Sequence, residues 1–316
     1  MRLSVLLEVE EGLTWPQLRR VAAAVERLGF EGLWLSDHLD SLHQPGVGGL
    51  ETWTALGVVA AETERIRLGP LVTPVTFRHP ALVARMVAGL DVLSGGRMVL
   101  GLGAGWNDAE HRAYGVDFPP AAERTARLEE VIQVIDRLQG DAPASFEGRY
   151  YRVEAVDARP KPVQRPRVPL LIGGGGERRT LPLAARYADE WNLTTADPAL
   201  FRAKSARLDE ACRAVGRDPR AIRRSVAVGF LIGADRRDLD ERAGMFRTLV
   251  PRLAGVPPAA VPAAARELGW VVGTVDEVIE QLRRLAAAGV EEVVLNQYAF
   301  DDDAALALIA GLGSRV

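Results

Sequence analysis

Four consecutive glycines, Gly173 to Gly176, form the most informative chemical pattern in this sequence. They follow a short apolar run at residues 170–172, and a helix-like pattern begins directly after them at Glu177 and Arg178. Backbone amides without side chains can converge on one anion where a helix starts. The Rossmann and Walker patterns are both absent, so a flexible turn that binds nothing is the alternative. After a late strand of a barrel, such a loop usually binds phosphate.

Histidine is the second residue type that could do chemistry, since its ordinary pKa lies near neutrality. All four histidines lie within the first 111 residues, at positions His38, His43, His79 and His111. His38 follows Asp37 at the end of a strand-like run, where a role in catalysis or cofactor contact competes with a place in the pocket wall. His79 is expected at a helix start beside a proline, and His111 in a loop, both with structural roles.

Composition excludes several classes of protein. The chain has 316 residues, 48% of them hydrophobic, and no apolar run long enough to span a bilayer. A net charge of -3 and the lack of a cationic block argue against nucleic-acid or membrane-surface partners. The first residues lack a secretory pattern, which predicts a cytoplasmic protein. The single cysteine, Cys212, cannot form an internal disulfide and is expected in the core.

Strand-like and helix-like patterns alternate along the whole chain. Strands are predicted at residues 3–7, 32–35, 66–72, 97–102, 168–172, 190–193, 222–231 and 291–295, with a hairpin at 145–153. Helices are predicted at residues 15–28, 52–62, 80–93, 123–138, from the glycines to 187, and at 198–215, 274–288 and 302–312. Residues 235–270 look helical but carry Pro257, Pro258 and Pro262, which is typical of an insertion.

This alternation predicts one (β/α)8 TIM barrel domain over residues 1–316, with a doubly wound sheet as the competing fold. In such a barrel the active site lies at the C-terminal ends of the strands. Polar, glycine and aromatic residues follow these ends: Glu8, the pair Asp37-His38, residues 73–78, residues 103–107, the glycine loop and residues 192–194. Their convergence on one rim is the evidence for a site.

Several segments resemble the bacterial luciferase-like flavin and deazaflavin oxidoreductases, in particular the branch that uses coenzyme F420. The likeness is carried by LWLSDH at 33–38, IRLG at 66–69, FRHP at 77–80, LDVLSGGR at 90–97, GLGAGW at 101–106 and PKPVQ at 160–164. It implies F420 as cofactor, hydride transfer between the deazaflavin C5 and a small organic substrate, a homodimer and no metal. FMN is the alternative cofactor.

The resemblance also implies roles for individual residues. Asp37 and His38 match the family's pair after strand two, where both are catalytic candidates and Asp37 also contacts the cofactor. Family members carry a non-prolyl cis peptide in strand three that supports the ring. The matching bond is Leu71–Val72, with Val72–Thr73 as the fallback.

Two further segments would hold the rest of the cofactor. The turn Ala104, Gly105 and Trp106 would approach its sugar-like chain, and Gly173 to Gly176 would hold its phosphate, with Arg178 available for further negative charge. The polyglutamate tail of F420 would find an arginine at Arg78 or Arg179.

One departure from the family bears on the substrate. Sugar-phosphate dehydrogenase members have a glutamate where Trp106 stands, which argues against that substrate, and Glu110, four residues on, is no simple replacement. Two other functions stay open: an FMN-dependent monooxygenase served by a separate flavin reductase, and a flavin-binding protein without catalysis. Substrate specificity is expected from the loops at 40–50, 106–122 and 235–270.

Overall fold

A computed structural model describes residues 1–41, 46–313 and 315, so His43 lies outside the described residues. The strands are β1 (Arg2–Leu7), β2 (Gly32–Leu35), β3 (Arg67–Pro70), β4 (Thr73–Pro74), β5 (Leu100–Gly103), β6 (Ala144–Glu147), β7 (Arg152–Val156), β8 (Leu170–Gly173), β9 (Glu190–Leu193), β10 (Arg223–Gly233), β11 (Val271–Thr274) and β12 (Glu292–Asn296). The helices are α1 (Trp15–Leu28), α2 (Thr52–Glu62), α3 (Pro80–Ser94), α4 (Asp108–Ala113), α5 (Ala121–Gln139), α6 (Thr180–Tyr187), α7 (Pro198–Ala214), α8 (Arg236–Leu249), α9 (Val261–Glu267), α10 (Val275–Ala287) and α11 (Asp303–Ala310).

The strands form a parallel barrel. Their order around the sheet is β3, β2, β1, β12, β10, β9, β8, β5 and β4. The third predicted strand, 66–72, contains β3, and β4 follows directly after its predicted end. The ring closes because Leu68 in β3 bridges Met98 and β4 pairs with β5. All eight predicted strands are present, and the closed ring confirms the (β/α)8 barrel over the doubly wound sheet.

The outer helices begin and end where their capping residues place them. Thr14 and Gln17 form a capping box at the start of α1, and Gly29 ends that helix with a φ of 79°. His79 accepts a hydrogen bond from the Ala81 amide at the start of α3, which confirms its predicted place at a helix start. Among the described residues, no helix is both long and apolar enough to cross a membrane.

The barrel interior is apolar in the middle and charged at its N-terminal end. Six buried side chains, five of them from strands and one from the residue before β5, meet in the middle: Leu6, Trp34, Val99, Leu171, Ala227 and Val294. Below them, the guanidinium of Arg67 contacts Glu190 at 2.9 Å and Glu292 at 3.1 Å. Ser4 and Ser225 donate hydrogen bonds to the same two glutamates. This ion network fills the N-terminal end of the barrel.

The structure differs from the predicted elements in three places. Helix α6 begins at Thr180, and residues 177–179 form a turn, so the glycine loop does not run directly into a helix as predicted. The loop after β5 contains the short helix α4. Strand β11 was not predicted, and it pairs with the C-terminal half of β10. The helices of residues 235–270 pack against this extension in a small separate core.

Candidate active site

The Asp37 carboxylate, after β2, lies at the centre of a buried hydrogen-bond network. It accepts hydrogen bonds from Thr73 Oγ1 at 2.6 Å and Trp53 Nε1 at 3.1 Å. Arg78 binds both of its oxygens, at 2.7 and 3.1 Å, and also contacts Glu51 at 2.9 Å. Through its bond to Thr73, Asp37 connects the end of β2 to strand β4. Arg78 is bound by Asp37 and Glu51, and its contact with the cofactor tail stays a prediction.

His38 lies beside Asp37 and is held by a residue that is 72 positions away in the sequence. Its Nδ1 is 3.0 and 3.1 Å from the two carboxylate oxygens of Glu110, which also accept a hydrogen bond from the Leu39 amide at 3.1 Å. Burial lowers the pKa of His38, but the hydrogen bond to Glu110 and the charge of Glu10 outweigh it, so this pKa is raised. With Nδ1 held by Glu110, Nε2 is the ring nitrogen that remains for a ligand.

Two buried carboxyl groups after β1 stand close to His38. Burial raises the pKa of Glu8 from 4.5 to about 7, although a hydrogen bond from Asn296 lowers it. Burial also raises the pKa of Glu10 to about 7, although the charge of His38 and a hydrogen bond from Ser36 lower it. These groups can therefore exchange protons near neutral pH. Glu10 was missed by the sequence reasoning, because an acid three residues beyond the end of a strand carries no pattern.

Strand three is interrupted at the predicted position. The Leu71–Val72 peptide bond is cis, as predicted, and pairing resumes at Thr73. Glycines on the neighbouring strands leave room for the Val72 side chain: a Cβ added at Gly103 would lie 2.7 Å from Val72 Cγ2, and one added at Gly173 would lie 3.2 Å from Cγ1. Leu71 and Val72 thus form a projection above the apolar barrel interior.

The turn after β5 stands next to this projection. Arg124 Nε donates a hydrogen bond to the Ala104 carbonyl at 3.2 Å, and Gly105 has a φ of 80°, which favours glycine. The rings of Trp106 and His38 form an edge-to-face pair with 5.6 Å between their centroids. Trp106 itself is 66% exposed. His111 is fully buried and bonds Thr76 Oγ1 at 2.6 Å, which agrees with a structural role, but it lies on helix α4 and not in a loop as predicted.

The glycine loop after β8 is held in place and keeps amides available. Trp191 Nε1 donates to the Gly174 carbonyl at 2.8 Å, and the Gly174 amide donates to the Asn192 carbonyl at 2.9 Å. The amides of Gly175 and Gly176 donate to no acceptor among the described residues. A Cβ at Gly175 would lie 2.8 Å from Leu193 Cδ1, and one at Gly176 would lie 2.9 Å from Thr180 Oγ1. These close approaches favour glycine at both positions, and the two amides remain available as donors for an anion, as a phosphate-bearing cofactor requires.

Cations flank the loop. The side chain of Lys204, on α7, lies next to the loop: its Cδ and Cε would each be 3.8 Å from a Cβ added at Gly175. Its ammonium group binds Glu177 at 2.8 Å. Arg178 and Arg179 are exposed. Lys204 was missed as a site residue because it lies 29 positions after Gly175 in another helix. The predicted site residues thus fall into two groups on one rim: the glycine loop with Arg178, and Asp37 to His38 with the strand-three and strand-four turns.

Comparisons with known proteins agree with this geometry. A family model described as luciferase-like monooxygenase matches residues 1–292. The F420-dependent glucose-6-phosphate dehydrogenase of Nakamurella multipartita is 31% identical over 307 residues, which cover 92% of this chain and 89% of that protein. The protein of the same name from Microbacterium testaceum is 36% identical over 195 residues, and the matched part spans 61% of this chain and 57% of that protein.

Among solved structures, an F420-dependent secondary alcohol dehydrogenase in complex with an F420-acetone adduct superposes with a TM-score of 0.82. The two chains are 22% identical, and the match covers 98% of this chain and 97% of that chain, which is a likeness of fold. Because the family model covers nearly the whole barrel, this chain belongs to the luciferase-like monooxygenase family.

Proposed function

We propose that this chain is an F420-dependent oxidoreductase that transfers hydride between the deazaflavin C5 and a small organic substrate. The observation that carries this proposal is the juxtaposition, at one barrel mouth, of a glycine loop with available amides and a histidine held by a buried carboxylate. The curated relatives described above, named as F420-dependent dehydrogenases, support the choice of cofactor.

The chain's own residues would hold F420 in three places. The amides of Gly175 and Gly176 bind the phosphate, with Lys204 and Arg178 supplying positive charge nearby. The Ala104 to Trp106 turn borders the linking chain, and the Leu71–Val72 projection lies behind the ring. When bound, F420 supplies a carbon that accepts or donates hydride, and the protein contributes position and proton handling.

His38 is proposed to hold the proton that the substrate gains or loses. Glu110 fixes Nδ1 and so presents Nε2 to the ligand, which is how a carboxylate sets the tautomer of a histidine. Glu8 and Glu10, whose pKa values are raised to about 7, can pass that proton to solvent. Asp37 is proposed to act by positioning Thr73 and Arg78, since its oxygens are occupied by their hydrogen bonds.

Cofactor titration tests the proposal. The purified protein is titrated with F420 and, in parallel, with oxidised and reduced FMN, and binding is followed by cofactor fluorescence and by calorimetry. We expect F420 to bind at least tenfold more tightly than either form of FMN. Bound F420 is then offered a panel of small alcohols and amines, and its reduction is followed by the loss of its visible absorbance. Tighter binding of reduced FMN, with oxygen consumption, would replace the proposal by a flavin monooxygenase.

We further propose that the protein is a homodimer that pairs through α3. Leu82 and Leu93 lie on one face of this helix, eleven residues or about three turns apart, and expose 58% and 53% of their surface. Val92 beside them is also exposed. Large apolar side chains grouped on one helix face are typical of a subunit contact.

A further inference from the structure

Glu177 directly follows the glycine loop and brings a carboxylate to the edge of the proposed phosphate site. It is the next residue after Gly176, whose amide is one of the two available donors. A carboxylate repels any anion that binds beside it. The side chain therefore opposes phosphate binding, and the strength of this effect depends on the cations that it meets.

The carboxylate of Glu177 binds the ammonium group of Lys204. Lys204 Nζ donates a hydrogen bond to Glu177 Oε1 at 2.8 Å, and this bond lowers the pKa of Glu177, which is therefore ionised at neutral pH. The stem of Lys204 lies beside the loop, where its Cδ and Cε would be 3.8 Å from a Cβ added at Gly175. One positive and one negative charge thus stand together at the loop, and they largely cancel for a ligand bound there.

The arginines near the loop are more open to solvent than Lys204. Arg207 on α7 places its Nε 3.9 Å from Glu177 Oε2. It binds Glu210 at 2.9 Å, and its side chain is 56% exposed, whereas that of Lys204 is 25% exposed. The two arginines in the turn after the loop are exposed as well. Because solvent and salt screen exposed charges strongly, Lys204 and Glu177 set most of the field at the loop.

We propose that Glu177 selects the cofactor by the charge of its phosphate group, favouring a phosphodiester such as that of F420 over a phosphomonoester such as that of FMN. A diester carries one negative charge, whereas a monoester carries nearly two at pH 7.5, since its second pKa is about 6. The second charge gains little from Lys204, which is already bonded to Glu177, and the Glu177 carboxylate repels it. The proposal rests on the proposed function in one respect, namely that the glycine loop holds the phosphate.

Two pairs of ligands isolate the charge of the phosphate. FMN and its phosphate methyl ester share the flavin and differ by one charge, and the 5′-phosphate of the F420 deazaflavin with its methyl ester forms the second pair. In fluorescence titrations at pH 7.5 and low salt, the wild-type protein should bind a methyl ester about threefold or more tightly than its parent monoester, and added salt should narrow the difference. Equal affinities within the pairs, or no binding of any of the four at millimolar concentration, would overturn the proposal.

Variants then assign this preference to Glu177. One charge at an exposed position near the loop changes affinity by about threefold for each charge on the ligand. Glu177→Gln should therefore strengthen diester binding about threefold and monoester binding about tenfold, which erases the preference, and Lys204→Met should increase the preference about threefold. Glu280→Gln on α10 is the control, because it removes one charge from an ion pair of 3.1 Å with Arg284 and should leave the preference unchanged. Thermal unfolding checks that the variants fold.

The outcomes separate this proposal from the proposed function. A diester preference that Glu177→Gln lowers, in a protein that reduces F420 with no substrate of the panel, would uphold the role of Glu177 and refute the oxidoreductase. F420-dependent turnover with a preference that Glu177→Gln leaves unchanged would do the reverse. An equal effect of Glu280→Gln and Glu177→Gln would show that only the net charge of the protein matters, and it would overturn the proposal.

Discussion

Replacing Gly175 by aspartate should abolish tight F420 binding through charge alone. Gly175 is suited to this test because its backbone conformation is open to any residue, unlike that of Gly174, which has a φ of 115°. A Cβ at this position would lie 2.8 Å from the flexible end of Leu193 and 3.8 Å from Cδ and Cε of Lys204, so the cost of added bulk is small. The new carboxylate would share the loop with the cofactor phosphate.

The magnitude follows from the short distance between the two charges. Two unit charges about 4 Å apart at an effective dielectric constant of about 20 repel by about 4 kcal/mol, and at about 6 Å and a constant of about 40 by about 1.4 kcal/mol. Affinity should therefore fall between about tenfold and a thousandfold. Gly175→Asn has the same shape without the charge and is the matched control.

Fluorescence titration of F420 into both variants, at low and high salt, measures the effect. The asparagine variant should stay close to the wild-type protein, and the gap between the two variants should shrink as salt is added. Dissociation constants within about threefold of each other would refute the reasoning, because they would mean that the phosphate lies elsewhere. Equal unfolding temperatures of the two variants exclude misfolding as the cause.

Three other predictions concern proton transfer, buried charge and assembly. His38→Ala should slow F420 reduction about a hundredfold while F420 affinity stays within about threefold, as measured by stopped flow with the best substrate of the panel; an unchanged rate would make His38 part of the pocket wall. The pKa of Glu10 is about 7 in the folded protein and 4.5 when the side chain is exposed. Between these two values the unfolded chain loses its proton first, so the free energy of unfolding falls as the pH rises, by about 3 kcal/mol in total. Glu10→Gln should therefore stabilise the protein in urea more at pH 8 than at pH 5, by about 2 kcal/mol, and an equal effect at both pH values would contradict this origin of the shift. Leu82→Glu with Leu93→Glu should convert the dimer to a monomer in light scattering, whereas a wild-type monomer would rule out the interface.

Local signals in the sequence predicted the barrel well. The bounds of α1 and α2 agree with the prediction residue for residue, because a capping residue stands at the start of each and apolar residues face the sheet in between. Strand β11 was missed since four residues, one of them glycine, carry too little pattern of their own. Its pairing with an unusually long β10 is what makes it a strand, and that pairing is a tertiary fact.

The sequence predicted where the site residues lie, but not which residues they contact. Sequence reasoning placed His38 and the glycine loop on the same rim, because strand ends of a barrel meet there. It could not pair His38 with Glu110 or bring Lys204 to Gly175, since these contacts join different helices and loops. It also did not foresee that Arg78, named for the cofactor tail, binds both oxygens of buried Asp37.

The exposed position of Trp106 gives the protein an optical reporter at its mouth. Four of the six tryptophans are buried, at positions Trp34, Trp53, Trp191 and Trp270, and Trp15 is 40% exposed. A water-soluble quencher such as acrylamide therefore reaches Trp106 first, and any molecule that covers the mouth shields it. With Trp106→Phe as the blank, occupancy can be followed from intrinsic emission, without a label and before any substrate has been identified.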